Sequence, residues 1–266
     1  MKRLISLVML FSVISLAFSL APECSAAMDG NIVLWLQFDE GTGTVARDSS
    51  NYGNDGTIGG ATWVDGKYGS ALLFDGVSNV VEVPSTDELQ LSDQGLTIAC
   101  WFKTTETSNS DLLLIEKGAW GTGEYGLSYP GYANNKVRFQ LFEIFGKESN
   151  QIDSTSGVPE LSDDEWHHTA GVYDAVNHNF KVYVDGILET EQDAADHVFT
   201  SDNESVFIGS RNNAGNWYAG AIDDLLIAKV ALTESEINSY VDGSVVVTAV
   251  SLAGKLATKW GSIKNY

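Results

Sequence analysis

Cysteine is nearly missing from this chain: two occur in 266 residues. Cys24 follows an apolar N-terminal run and Cys100 stands alone. A chain cut behind that run keeps one thiol, which excludes an intrachain disulfide and a disulfide-dense small scaffold. Basic residues are also scarce, 15 Lys and Arg against 36 Asp and Glu, for a formal charge of −21. Phosphate backbones and anionic headgroups are held by Lys and Arg, so nucleic acid and anionic membranes are excluded as partners. Long segments of 3.6-residue periodicity do not alternate with strand-like runs, which argues against a parallel α/β sheet.

The N-terminus carries Lys2 and Arg3, an apolar run from Leu4 to Leu20, and Ser25-Ala26-Ala27. This is the pattern of a secretory signal peptide over 1–27. A membrane anchor fits less well, because the run is short and a cleavage site follows it. The residues before Cys24 do not suit a lipid-attachment site. The expected organisation is a leader at 1–27, one domain over 28–243, and a tail over 244–266. In the tail, Leu252, Leu256, Trp260 and Ile263 recur at helical spacing between lysines, as in a docking or sorting segment or a loose terminus. It is too short to span a membrane, so no span is expected once the leader is removed.

Strand signals recur near 32–38, 71–74, 79–83, 96–103, 111–116, 125–129, 136–143, 167–173, 180–185, 205–210 and 218–229. Clusters of Gly, Asn, Asp and Ser punctuate them. Many short strands among 26 glycines predict an all-β fold, an antiparallel two-sheet sandwich. Thr233 followed by Glu236 is a capping box and predicts one short helix over 234–241. The apolar run Leu96 to Phe102 reads as a strand buried on both faces, which makes Cys100 a structural thiol.

Glu165-Trp166-His167-His168 opens the stretch richest in chemical side chains. Adjacent strand residues point to opposite faces, so the two imidazoles cannot share a ligand. No further histidine stands at zinc-site spacing. One ring is expected to be packed and hydrogen-bonded, the other exposed. His178 and His197 read as loop residues.

Several segments carry a family resemblance in their order. These are Asn31-Ile32-Val33-Leu34-Trp35-Leu36-Gln37-Phe38-Asp39-Glu40-Gly41, Gly69-Ser70-Ala71-Leu72-Leu73-Phe74-Asp75-Gly76, Leu96 to Lys103, and Glu165 to Asp174. Lys181 to Gly186 and Gly220-Ala221-Ile222-Asp223-Asp224-Leu225-Leu226-Ile227 with Ala231 to Ile237 complete the set. Over about 31–241 the chain resembles bacterial laminin-G-like (LamG-like) jelly-roll domains. The resemblance implies a concanavalin A-like jelly-roll sandwich that is secreted, periplasmic or on the cell surface. It implies a non-enzymatic binding or adhesion module with glycan or extracellular protein as partner. Many such domains hold a structural calcium ion. The family's final cysteine pair is absent.

Calcium takes six to eight oxygens, which acidic turns supply. Candidates are Asp39, Asp48, Asn51, Asp75, Asp223 and Asp224, and the expected metal set is Asp39, Asp75, Asp223 and Asp224. First and last strands lie side by side in this fold, so Asp39 can approach Asp223. Glycan binding needs aromatic platforms. Tyr132 and Tyr218 lie in or beside loops, as do the chosen candidates Trp120, Tyr125, Tyr129 and Trp217. Related sandwiches include glycoside hydrolases, but the run Glu-x-Asp-x-x-Glu is missing here. A glycosidase on the same sandwich, or a purely structural surface protein, is the alternative.

Overall fold

A computed structural model describes residues 30–90, 95–108, 110–118, 125–131, 135–141, 150–194 and 203–244. The expected leader, most of the tail, Trp120, Tyr132 and His197 lie outside the described residues. Two eight-stranded antiparallel sheets face each other. In chain order the strands are β1 (Ile32–Leu36), β2 (Val45–Ala46), β3 (Gly56–Gly59), β4 (Thr62–Asp65), β5 (Ser70–Asp75), β6 (Val80–Val83), β7 (Leu96–Lys103) and β8 (Leu113–Lys117). They continue with β9 (Tyr125–Ser128), β10 (Lys136–Leu141), β11 (Asn150–Gly157), β12 (His167–Asp174), β13 (Asn179–Val184), β14 (Ile187–Asp193), β15 (Val206–Ile208) and β16 (Ala219–Ala228). The first sheet runs β14-β13-β12-β7-β16-β5-β4, with β1 also paired to β16. The second runs β11-β10-β9-β8-β15-β6-β3-β2.

The core between the sheets takes alternate residues. Ile98, Cys100 and Phe102 of β7 face Leu127 of β9 and Phe139 and Leu141 of β10 across one continuous apolar layer. Cys100 is fully buried, as its apolar run predicts. A second layer covers the outer face of the first sheet. There Trp35, Ala99, Ala170, Val172 and Leu226 pack under helix α1 (Glu234–Val241). Thr233 caps α1, its hydroxyl accepting from the Glu236 N–H while the Glu236 carboxylate accepts from the Thr233 N–H. Ile237 and Tyr240 are the buried face of α1, each contributing about 1.5–3 kcal/mol. Tyr68 latches its far end, its hydroxyl donating to the Val241 carbonyl at 2.6 Å.

The Asp185-Gly186 turn joins β13 to β14 with positive φ at both residues, the mirror-image turn that suits strand twist. Five strands escaped the sequence pattern: β2, β3, β4, β11 and β14. Four of these are the sheet edges. An edge strand buries less apolar surface, so its sequence loses the alternation that marks a strand. On one side the two edges are clipped together. The Glu189 carboxylate on β14 accepts from the Thr155 and Ser156 N–H groups of β11 at 2.8 and 2.9 Å.

Candidate functional site

The last strand changes neighbour partway along. Residues Ala219 to Ile222 of β16 pair with β5, while Leu225 onward pairs with β1. Between them the register with β7 shifts after Asp223, and Asp224 takes φ 45°. The gap where β1 and β5 part is filled by two loops. Asp39 follows β1, and its Oδ1 accepts from the Ser70 N–H at 3.2 Å. Tyr68 precedes β5, and its N–H donates to Asp223 Oδ2 at 3.0 Å. The glycines flanking Tyr68 allow this approach. A Cβ on Gly69 would collide with Asp39 Oδ1, and one on Gly66 would lie 2.7 Å from Asp223 Oδ2.

Asp223 is fully buried. Burial, and then the charge of Asp224, push its carboxyl up to about 8 against the N–H groups of Tyr68 and Asp224; Asp39 adds to the rise. Asp39, Asp223 and Asp224 therefore share one corner of the sandwich. Asp75 does not join them. It lies at the other end of β5, about 16 Å away along the strand. Its Oδ1 closes the β5–β6 turn by accepting from the N–H groups of Val77, Ser78 and Asn79. Those bonds hold its carboxyl down near 2, as for a turn residue. Asp48 binds the N–H groups of Trp35, Ser50 and Asn54 and likewise serves its own loop. Among the described residues no three His, Cys, Asp or Glu side chains converge on one point as a metal cluster.

The aromatic candidates divide. Tyr125 and Tyr129 are fully buried, which corrects their reading as exposed platforms. Tyr125 donates to the Leu89 carbonyl, and Tyr129 bonds to the Ser162 hydroxyl. Strand alternation turns both into the core, where loop proximity in sequence says nothing about exposure. Tyr218 is buried as well. Trp217 is half-buried.

The histidines separate to opposite faces as geometry predicts, but packing and hydrogen bonding, expected on one ring, are divided between the two. His168 is fully buried between the rings of Trp101 and Tyr240, 5.3 and 5.5 Å away. Neither of its ring nitrogens has a hydrogen-bond partner among the described residues. His167 holds the hydrogen bonds, through Nδ1 to Asp185 at 2.9 Å and Nε2 to Asp163 at 3.2 Å. The Asp185 hydrogen bond is the main cause of its raised pKa.

A polar lane on the outer face of the second sheet went unread in the sequence. Arg211 leaves the loop after β15, which is closed by the Arg211 and Gly215 backbones. Its Nε donates to both oxygens of Glu116 at 3.1 and 3.2 Å, and Nη2 to Asp111 at 3.1 Å. Asp111 accepts from the Ser128 hydroxyl at 2.7 Å. Ser128 is the register partner of Arg138, which grips Asp153 on β11 through Nε and Nη2 at 2.7 and 3.1 Å. Burial disfavours the Arg138 cation, but Asp153 and then Asp111 more than offset this and raise its pKa. The chain of ion pairs therefore crosses β11, β10, β9 and β8.

Beside it runs a second row, Gln140, Gly126 and Glu116 on adjacent strands. Gly126, buried like its neighbours, has no side chain, and Gln140 and Glu116 stand about 10 Å apart on either side of it. Glu116 is fully buried; burial lifts its carboxyl to about 7 against the pull of Arg211. The upper groups are wetter: the Arg211, Asp153 and Asp111 side chains are 25%, 26% and 12% exposed. Asn216, the residue before Trp217, donates to the Asp111 carbonyl at 2.5 Å. The signal in the sequence was faint: Glu116 and Arg138 are charges inside apolar strands.

Comparison with known proteins fits this architecture. The chain covers 82% of its own length on the binding domain of Paraclostridial Mosquitocidal Protein 1, at 16% identity and TM-score 0.67. The botulinum neurotoxin serotype D ligand binding domain, solved in complex with N-acetylneuraminic acid, matches at 15% identity and TM-score 0.62, with 82% covered. The serotype G binding domain matches at 16% identity and TM-score 0.64, with 80% covered. This chain spans about half the length of each, 53%, 52% and 51%. At these identities the likeness is one of fold. No curated protein matches. The Laminin_G_3 family model, described as the concanavalin A-like lectin/glucanases superfamily, matches residues 75–238, well over half of the chain, and the chain belongs to that family.

Proposed function

We propose that this protein is an extracellular, non-enzymatic binding module that holds glycan on the outer face of the second sheet. The observation that carries the reading is the lane itself. Two arginines, three carboxylates, Ser128 and Gln140 are recessed on one sheet face, beside a half-buried tryptophan. Burying so many polar groups costs stability unless each is bonded. A rigid polar floor with one aromatic at its edge is what orienting sugar hydroxyls requires. The toxin binding domains of the same fold, one of them a sialic acid complex, support a binding role. Catalysis is disfavoured because Glu116 is held on Arg211 through both its oxygens. Secretion rests on the leader-like N-terminus. Among the described residues no helix is long and apolar enough to cross a membrane.

The acidic corner belongs to the same proposal as a structural calcium site. Asp39 and Asp223 would hold the ion together with backbone carbonyls of the Gly66–Gly69 loop. The donor chemistry fits. Asp223 is a buried carboxyl beside two other acids, and a divalent cation offsets both its burial and that crowding.

A glycan array probed with wild type and Arg211→Ala tests the main claim. Hits that vanish in the variant are expected. No hits, with retained binding to an extracellular protein, would replace glycan by protein as partner. Turnover of any polysaccharide would make the protein an enzyme. Calcium is tested by melting with EDTA and with added calcium: wild type is expected to shift upward with the ion and Asp39→Asn not to. An unchanged wild-type transition removes the ion from the proposal.

A further inference from the structure

Resting on the glycan reading above but not on the lane, we propose a second saccharide site, an open cleft of about 350 Å³ on the outer face of the first sheet. It lies over the start of β16. Ala221 pairs with Leu73 of β5 on one side and with Lys103 of β7 on the other. Those two side chains therefore stand about 10 Å apart as walls. Between them Ala221 and, one step along the same face, Ala219 carry only methyl groups, which keeps the floor low. The cleft is open to solvent: Leu73 is 41% exposed, and the Lys103 and Asp164 side chains are 34% and 67% exposed. Its volume falls at the low end of ligand sites, about 300–1,000 Å³, which suits the end of an oligosaccharide.

The polar wall is held in place before any ligand arrives. Thr104 Oγ1 donates to the Ala219 carbonyl at 2.6 Å and accepts from the Glu106 N–H at 2.9 Å. The Asp164 N–H donates to the Thr104 carbonyl at 3.2 Å, and Ser162 Oγ to the Glu106 carbonyl at 2.6 Å. These bonds tie the loop after β7 and the turn before β12 to β16, so little ordering is left for binding. The chemical groups stay available. Lys103 Nζ meets Asp164 Oδ1 at 3.5 Å, a loose exposed pair of the weak kind, and an ammonium has further donors to give. One sugar hydroxyl can accept from Lys103 while its neighbour donates to Asp164, as a vicinal diol does. Glu106 Oε1 takes the N–H groups of Thr107 and Ser108, which leaves Oε2 as another acceptor. Leu73 and the two alanines offer apolar area to the C–H face of the ring. An extended peptide finds no edge to join here, because β16 is paired on both sides.

A shallow cleft of this size holds its ligand weakly, with Kd of about 1 mM, which nuclear magnetic resonance detects and a washed array does not. The test is a titration of the isotope-labelled full chain with soluble gluco-, xylo-, manno- and galacto-tetrasaccharides, followed by amide spectra. Saturable shifts at the Leu73, Thr105 and Gly220 amides are expected with at least one of these sugars. Ala221→Leu fills the cleft and is expected to abolish those shifts. Lys103→Met keeps the stem, removes the ammonium and is expected to weaken binding about three- to tenfold. If Ala221→Leu does not fold, Lys103→Met decides. Shifts confined to other residues overturn the second site and leave the glycan reading standing. No shift with any tetrasaccharide overturns the site, and together with an array without hits overturns the glycan reading itself.

Discussion

Protonating His168 should loosen this fold, and the effect can be isolated from every other titration. The ring is fully buried against Trp101 and Tyr240, and neither nitrogen is hydrogen-bonded among the described residues. Burial depresses its pKa from 6.5 to about 3, against a smaller opposing pull from Asp185. The unfolded chain then binds a proton below pH 6.5 that the folded chain refuses until near pH 3. Stability therefore falls with pH across that window, by about 1.4 kcal/mol per unit. From pH 6.5 to pH 4 the loss is about 3 kcal/mol.

Asp223 acts in the opposite direction. Its carboxyl is raised to about 8, so its contribution is complete below the unfolded value near 4 and declines as pH rises toward 8. Between pH 4 and 6.5 the two slopes oppose, and wild type can look flat. His168→Phe keeps an aromatic of similar volume and removes one slope. Its stability relative to wild type should grow as pH falls, by about 3 kcal/mol at pH 4, or about 6–12 °C in melting temperature. Asp223→Asn should show the reverse trend, gaining on wild type as pH rises. The assay is thermal melting of all three proteins at pH 7, 6, 5 and 4, followed by circular dichroism. A His168→Phe difference that is constant with pH would refute the reasoning.

Other outcomes follow from single contacts. Cys100 is buried and its thiol is pushed far above the usual range by burial, so a thiol reagent should label it only on unfolding; rapid labelling of native protein would contradict the burial. Arg211→Ala leaves the fully buried Glu116 without its cation and should cost about 3 kcal/mol in urea unfolding at neutral pH. Because the Glu116 carboxyl is raised to about 7, acidification below pH 7 should recover part of that loss as the carboxyl takes up a proton. Tyr68→Phe removes the bond to the Val241 carbonyl and Thr233→Ala the cap of α1. Each should cost about 1 kcal/mol, with faster hydrogen exchange confined to α1; exchange unchanged there would sink the latch.

The strands legible in the sequence were those with a buried face. Leu96 to Lys103 and His167 to Asp174 carry unbroken or alternating apolar residues because both lie inside the first sheet. The edge strands β11 and β14 read Asn-Gln-Ile-Asp-Ser-Thr-Ser-Gly and Ile-Leu-Glu-Thr-Glu-Gln-Asp, which alone look like loop. Capping chemistry is local, so Thr233 and Glu236 announced α1 correctly. Site residues were harder. The approach of Asp39 to Asp223 followed from strand order, whereas Asp75, equally acidic and equally close to a turn, serves only its own hairpin. Tyr125 and Tyr129 sit beside loops yet face inward, because side-chain direction depends on register that a single strand does not state.

By itself, then, the chain determined an acidic, disulfide-free, antiparallel sandwich with one capped helix. Periodicity, turn chemistry and charge are local or additive quantities, readable without coordinates. Only the tertiary structure decided what meets what. It joined Asp111, Glu116, Ser128, Arg138, Asp153 and Arg211, drawn from strands and loops up to 100 residues apart, into one lane. It also placed His168 in an apolar box and His167 between two carboxylates. Those outcomes depend on pairing between distant strands, where one residue of slip would exchange every inward and outward side chain.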